Sequence, residues 1–421
     1  MDLARGVRDF PPEVQIIREE LLDTITQSFR RHGFAPFASP AIERLETLRF
    51  KFAGDEDVMD ELFVFEDGGG RELGLRFDLT VPLCRFVASN KDLKLPFKRY
   101  EVGRVYRDGP IKQGRYREFW QCDADVVGAS SLLADAECMK VADDVFSQLP
   151  FEYVIKVNNR VLLDEVCAHL GIEDAHRTII ILDKLAKIGE EGVREQLGEF
   201  LSSEQVDGLF SLLAAPGSDA GRLKHLDESL GGSRGVRELR ALFAYLEGFA
   251  HVEFDPTLAR GLNYYTGTVY EVFLEDSVIA SSCAAGGRYD EIIGSMRGSE
   301  QVPAVGVSFG VEPLTDALLA EKKRFSSSHA EVFVAPIKAS QEASRIADKL
   351  RLAGLNVDVD VMGRSISKNL EYADKQGIAF VLIVGARDLE QGLLTLKNMR
   401  TSEESAVSLD ELDSFDLSVY R

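Results

Sequence analysis

The sequence predicts an α+β protein: a large antiparallel-sheet domain carrying a helical insertion, followed by a small α/β domain. Three observations lead there. Up to about residue 160, β-branched and aromatic runs alternate with Gly- and Pro-rich breaks, as in hairpins. From about 161 to 250 helical periodicity takes over, broken at Gly171, Gly189, Gly208, Pro216–Gly217 and Gly231–Gly232. From Ala330 onward strand and helix patterns alternate, the rhythm of a small sheet flanked by helices. A chain of 421 residues has room for two or three domains. The boundaries we place are 1–322 for the large domain, about 165–248 for the insertion, 323–329 for a polar, Ser-rich linker, and 330–421 for the small domain.

The elements follow in order. Residues 1–10, with ARGVRDF, form a short charged segment. Val14, Ile17, Leu21, Ile25 and Phe29 recur at helical spacing, so Glu13 to His32 is an amphipathic helix that Gly33 ends. FAPFASPAIERLE is a short extended piece interrupted by Pro36 and Pro40. Leu62–Phe65 and Leu73–Phe77 flank a Gly-rich turn and read as a hairpin; a helix begins near Pro82. Arg76, Asp78 and Thr80 share one strand face, although Asp78 and Thr80 are also good helix N-caps.

Arg104 to Gly128 is a second hairpin. Its loop, DGPIKQG, is turn chemistry, and Arg104, Arg107, Lys112, Arg115 and Arg117 load it with fixed positive charge. Planar guanidinium groups bind phosphate oxygens two at a time. The returning strand sends Gln121, Asp123 and Asp125 out of one face. Arginines beside carboxylates and an amide suit a nucleotide and a small amine-bearing partner; a solvated, charged hairpin fits the same letters. A helix follows over Ser131 to Leu149, then the strand VIKVNNR. Residues 254–273 alternate around a Gly-rich turn, with Arg260 before Gly261 and the hydroxyls of Tyr264 and Tyr265 on opposite faces. AAGGRYD allows close approach to a ligand with Arg288 and Tyr289 facing it, and residues 303–318 form a strand entering a helix, with Gly306 and Gly310 allowing tight packing.

Composition narrows the class. Formal net charge is −21, which argues against a nonspecific nucleic-acid coat or an anionic-membrane binder. A local RNA site stays compatible, because 91–117 holds nine basic residues against three acidic ones. The five cysteines are widely spaced and show neither a CxxC pair nor Cys/His metal spacing, so neither a zinc site nor a disulfide framework is expected. No export signal or membrane-length apolar run is present, and a reducing cytosol is the expected home.

The residues 104–128, RVYRDGPIKQGRYREFWQCDADVVG, resemble motif 2 of class II aminoacyl-tRNA synthetases in the form carried by histidyl-tRNA synthetases of the archaeal/eukaryotic-like branch. Further stretches resemble the same family in order: ARGVRDF its opening, the 13–46 region motif 1, LRFDLTVP its LRYDLTVP, ARGLNYYTG its ARGLDYYTG signature, GGRYD, and PAVGVSFGVEPLTDAL motif 3. The end of the chain resembles the anticodon-binding domain of class IIa synthetases.

The resemblance implies a histidine–tRNA ligase acting on L-histidine, ATP with Mg²⁺, and tRNA(His). It implies a homodimer through motif 1, and an insertion lying over the tRNA acceptor stem. It implies catalytic roles for Arg107 and Arg260 at the α-phosphate, and histidine binding by Asp78, Thr80, Gln121, Asp125, Tyr264 and Tyr265. ATP would be held by Arg107, Arg115, Arg260, Arg288 and Gly310, and RNA met by basic residues at 364, 368, 387, 397 and 400. Two departures stand out: Asn263 replaces the usual Asp of the signature, and Pro313 the motif 3 arginine. They keep an alternative open, an impaired paralogue acting as a histidine or tRNA sensor or as a regulatory subunit of ATP phosphoribosyltransferase.

Overall fold

A computed structural model describes residues 1–51, 59–111, 114–214, 216–260, 264–298, 301–321 and 326–420. Lys112, Gly261 and Asn263, and part of the expected linker, lie outside these residues. The chain divides into two compact units: Met1–Arg8 with Leu21–Ala320, and Asp9–Glu20 with Glu321–Arg421.

In the first unit the strands are β1 Ala35–Pro36, β2 Ile42–Arg44, β3 Val64–Glu66, β4 Glu72–Leu75, β5 Phe97–Tyr106, β6 Glu118–Val127, β7 Tyr153–Asn159, β8 Val252–Phe254, β9 Thr268–Leu274, β10 Ala284–Arg288 and β11 Ala304–Gly310. Eight of them form one sheet in the order β1-β5-β6-β11-β10-β9-β7-β8. The six inner strands run antiparallel, as expected; the short edge strands β1 and β8 pair parallel, so the sheet is mixed. The long β5–β6 hairpin is its spine, and β2, β4 and β3 make a separate small sheet.

The residues at helical spacing in Pro12–Arg31 turn inward: Leu21, Ile25 and Phe29 are buried, and Phe29 packs on Tyr100 and Phe309 at 5.4 and 5.7 Å. Phe146, from the helix Leu132–Phe146, stacks on Phe309 and covers the same face of the sheet. Among the described residues between β7 and β8 lie six helices, from Arg160–His169 to Arg234–Tyr245.

Three readings need correction. Leu45–Lys51, expected to begin as extended chain, is helical. β4 stops at Leu75, so Arg76, Asp78 and Thr80 do not share a strand face. β8 and β9 are not a hairpin, because β8 pairs with β7 and the chain between them is not strand among the described residues.

The second unit holds β12 Val332–Ile337, β13 Val357–Val359, β14 Phe380–Gly385, β15 Leu393–Asn398 and β16 Glu404–Ser408 in the order β13-β12-β14-β15-β16. The first three are parallel, joined through the helices Ser340–Leu352 and Ile366–Gln376 close to their expected bounds. The short helix Ala386–Gln391 and the edge strand β16 were not foreseen.

Candidate active site

Register builds the floor of the site. Asp125, Asp123 and Gln121 on β6 lie opposite Arg99, Glu101 and Gly103 on β5, and opposite Gly306, Ser308 and Gly310 on β11. Side chains alternate along each strand, so these positions present one face. That face opens into a cavity of about 470 Å³. Gly306 is required there, because a Cβ would collide with the Asp125 carboxylate.

Ten of the eleven expected site residues line this cavity. Asp78 comes from the turn before the helix Thr80–Ser89 and Thr80 from its first position, and Arg107 and Arg115 from the β5–β6 loop. Gln121 and Asp125 come from β6, Arg260, Tyr264 and Tyr265 from the segment before β9, and Gly310 from the end of β11. Arg288 is the exception. Its guanidinium is buried against Asp135, donating from Nε to Oδ1 at 3.1 Å and from Nη2 to Oδ2, and it also reaches Asp290 and the carbonyls of Ala129 and Ser131. Its donors are consumed on the far side of β10, so the expectation that Arg288 faces a ligand is corrected.

Asp78 does both things its sequence position allowed. Its Oδ1 accepts from the N–H groups of Thr80 (3.1 Å) and Val81 (2.9 Å), capping the helix, while the residue still borders the cavity. Arg76 leaves the site: it donates to Glu101 at 2.9 Å and to Ser39. Tyr264 and Tyr265 stand together rather than on opposite faces, their hydroxyls 3.4 Å apart, because this segment is a turn and strand alternation does not apply.

The three arginines of the cavity differ. Arg107 is sandwiched between Phe77 and Phe119, 4.1 and 5.0 Å from their centroids, and its Nε donates to the Phe77 carbonyl. Burial lowers its pKa, against the pull of Asp78. Among the described residues no carboxylate forms an ion pair with it. Arg115 is tethered to Glu61 at 2.7 Å. Arg260 is paired with Glu271; burial, the largest single influence, lowers its pKa, but Glu271 together with Tyr265, Tyr264 and Asp183 outweighs it and the net shift is upward. Glu271 also accepts from the Ser282 hydroxyl at 3.0 Å.

Pro313 sits in the first turn of the helix Val311–Glu321, where backbone N–H groups lack intrahelical partners and proline costs little. Its ring occupies the space a Gly310 side chain would need, with Cγ 2.9 Å from an added Cβ. Neighbouring Glu312 accepts the Trp120 N–H at 2.8 Å and pins β6.

Two features were not assigned from sequence. Arg8 donates to the Tyr116 hydroxyl (2.8 Å) and to Asp316 (3.1 Å), and lies 4.0 Å over the Tyr116 ring; the Gly6 carbonyl accepts the Arg117 N–H. The opening segment thus holds the arginine-bearing loop at Tyr116 and at Arg117. Arg8→Ala should loosen Arg115 and raise the ATP KM several-fold, with little change for the amino acid and partial rescue by Arg8→Lys. Steady-state kinetics of the three forms checks this.

The second is Asp123, buried on the floor. Burial, the largest influence, pushes its carboxyl up to about 7, with Asp125 adding and Arg99 opposing. The folded state therefore keeps a proton that the unfolded chain, with an ordinary value near 3.8, releases. This residue's contribution to stability falls as pH rises from about 4 to 7. Asp123→Asn should raise the melting temperature, and more at pH 8 than at pH 4, in paired thermal scans.

The expected basic strip is not a continuous surface. Arg99 is fully buried beside Asp125, and Arg104 and Arg117 pair with Glu118 and Asp108. In the second unit Lys397 pairs with Glu404, and Arg364 lies over Tyr372.

Comparison with known proteins bears on the whole chain. The family model described as histidyl-tRNA synthetase matches residues 6–314, and that described as anticodon binding domain matches 331–415. Histidine–tRNA ligase 1 of Bacillus cereus (strain ATCC 14579) is 40% identical over 420 residues, covering 98% of each protein. Histidine–tRNA ligase of Aeropyrum pernix is also 40% identical, covering 97% of this chain and 95% of that protein. Equal identity to both does not resolve the branch.

The crystal structure of histidyl-tRNA synthetase from Nostoc sp. PCC 7120 superposes with a TM-score of 0.86 at 33% identity, covering 98% of both chains. A Bacillus halodurans structure described as an ATP phosphoribosyltransferase regulatory subunit/histidyl-tRNA synthetase shares the fold, at a TM-score of 0.75 and 24% identity over 91% of this chain and 98% of that one. A family match over most of the chain, together with relatives at 40% identity from end to end, shows that the chain belongs to the histidyl-tRNA synthetase family.

Proposed function

We infer that this chain is a histidine–tRNA ligase, joining L-histidine to ATP as histidyl-adenylate and then transferring histidine to the 3′ end of tRNA(His). The observation that carries the reading is the single cavity in which three arginines face acids, an amide and two tyrosines drawn from separate parts of the chain.

Adenylate formation is an in-line attack of the histidine carboxylate on the α-phosphate, which positioning and charge neutralisation can accelerate without covalent help. Arg107 and Arg260 neutralise the α-phosphate, and Arg115 and the backbone at Gly310 hold the nucleotide. Asp78, Thr80 and Gln121 take the α-amino and carboxyl groups, while Tyr264, Tyr265 and the β6 acids read the ring. A site that hydrogen-bonds a polar side chain rejects isosteres without a separate editing step.

Mg²⁺ enters as part of the MgATP substrate. Among the described residues no cluster of three or more His, Cys, Asp or Glu could hold a metal ion. The cavity carboxylate Glu61, and Glu271 behind Arg260, are both engaged by arginines. Magnesium bound through phosphates and water needs no protein cage.

A homodimer and a cytoplasmic location complete the proposal; no described helix is long and apolar enough to cross a membrane. Light scattering tests the first, with a monomer at working concentration overturning it. Histidine-dependent ATP–pyrophosphate exchange without tRNA tests the chemistry. Exchange with histidine alone among the amino acids supports the ligase. Histidine binding without exchange favours the sensor reading that Pro313 suggested.

A further inference from the structure

We propose that Glu271 is a positioning residue for adenylate formation: its carboxylate, fixed on β9, sets the direction in which the Arg260 guanidinium meets the α-phosphate. This rests on the ligase reading above and adds to it a residue behind the cavity wall.

Arg260 needs such a support. It lies between β8 and β9, on backbone that is not strand among the described residues. A long side chain on such backbone must lose much rotamer freedom before it can act at one point. β9 is the opposite case. It is paired on both sides, with β10 and with β7, and Tyr270 and Val272 on either side of Glu271 are fully buried. The Tyr270 hydroxyl donates to the Gly306 carbonyl at 2.9 Å, which ties β9 to the floor of the site. Glu271 itself stands opposite Ala285 of β10, a residue of the cavity wall.

The contacts run from that rigid strand to the arginine. Oε1 of Glu271 accepts from Nη1 of Arg260 and from the Ser282 hydroxyl at 3.0 Å. Among the described residues no second carboxylate forms an ion pair with Arg260. Nε of Arg260 is buried without an acceptor. The guanidinium is therefore anchored at one corner and keeps donors for phosphate oxygens.

A competing cation is kept away. Lys156 of β7 is directly opposite Glu271, and directly opposite residues share a sheet face. Its Nζ goes instead to Asp255 at 2.9 Å, in the segment that leads to Arg260. The buried Asn158 amide holds the same segment, donating to the carbonyls of Pro256 (3.0 Å) and Leu258 (2.9 Å). Two acids and two cations are thus sorted: Lys156 fixes the backbone before Arg260, and Glu271 fixes the guanidinium. The carboxylate offsets part of the arginine's charge, which weakens its pull on phosphate. Placement wins over that loss, because an error of about 1 Å in a reacting geometry can cost about 10²-fold in rate.

Glu271→Ala should lower kcat for histidine-dependent pyrophosphate exchange by about 10- to 100-fold. The KM values for ATP and histidine should stay within about threefold, because Arg260 acts on charge that develops in the transition state. Glu271→Gln keeps the size and an acceptor oxygen, and should recover part of the lost kcat. The deciding measurement is a double-mutant cycle. In the Arg260→Ala background, Glu271→Ala should change kcat by no more than about twofold, because no guanidinium is left to position. A residue that only stabilises the fold would lower the rate by the same factor in both backgrounds.

An equal factor in both backgrounds overturns the proposal. So does a kcat for Glu271→Ala within about twofold of native, or above it, since charge attraction would then outweigh placement. If Glu271→Ala does not fold, the same cycle with the isosteric Glu271→Gln is read by the same two criteria. If the native protein shows no histidine-dependent exchange, the ligase reading fails and this assignment fails with it; native exchange with an additive cycle sinks this assignment alone.

Discussion

Arg260→Ala is expected to cut histidine-dependent pyrophosphate exchange by about 10³-fold, the upper range for removing one preorganised donor from a developing charge. The residue is mostly buried at the cavity wall, with Nε lacking an acceptor and one Nη engaged by Glu271. Such a guanidinium is held in place before substrate arrives, which is what electrostatic preorganisation requires. The fold should survive, since Glu271 keeps the Ser282 hydroxyl as a donor and its surroundings can admit water. Arg260→Lys restores charge without the planar fork and should recover only part of the rate. The check is exchange kinetics beside a thermal scan of each variant. A rate within a few-fold of native in a well-folded Arg260→Ala protein would remove this residue from the chemistry.

Arg288→Ala should behave in the opposite way, with a large loss of stability and little specific loss of ATP binding. Arg288 is 7% exposed on its side chain and Asp135 is fully buried. Burial raises the Asp135 pKa even with Arg288 hydrogen-bonded to it, so the carboxylate depends on that one cation. Breaking a buried pair by removing one partner costs about 3–5 kcal/mol, whereas replacing both by apolar groups of similar volume is often close to neutral. Arg288→Met combined with Asp135→Leu should therefore regain most of what Arg288→Ala loses, measured by melting temperature. An unchanged melting temperature with a raised ATP KM would return Arg288 to the nucleotide site.

The sequence by itself determined a good deal here. The β5–β6 hairpin, its arginine-loaded loop and the common face of Gln121, Asp123 and Asp125 were legible because they follow from local periodicity and turn chemistry. The helices of the insertion and the βαβ start of the second unit were legible for the same reason. Residue type alone also marked Arg107, Arg115 and Arg260 as fixed cations.

Tertiary structure decided which groups remain free. Arg288 and Asp135 lie 153 positions apart, and Arg8 and Tyr116 lie 108 apart, so no local pattern could say that these pairs consume each other. Tyr264 and Tyr265 were placed on opposite faces by strand alternation, and a turn brought them together. Asp123 and Asp125 look equivalent along β6. Only the β5 register, which sets Arg99 against Asp125 and Glu101 against Asp123, gives one acid a buried cation 2.8 Å away and sets the other against a second carboxylate. The chemistry of a side chain is written locally, but its availability depends on which distant donors the fold brings within hydrogen-bond reach.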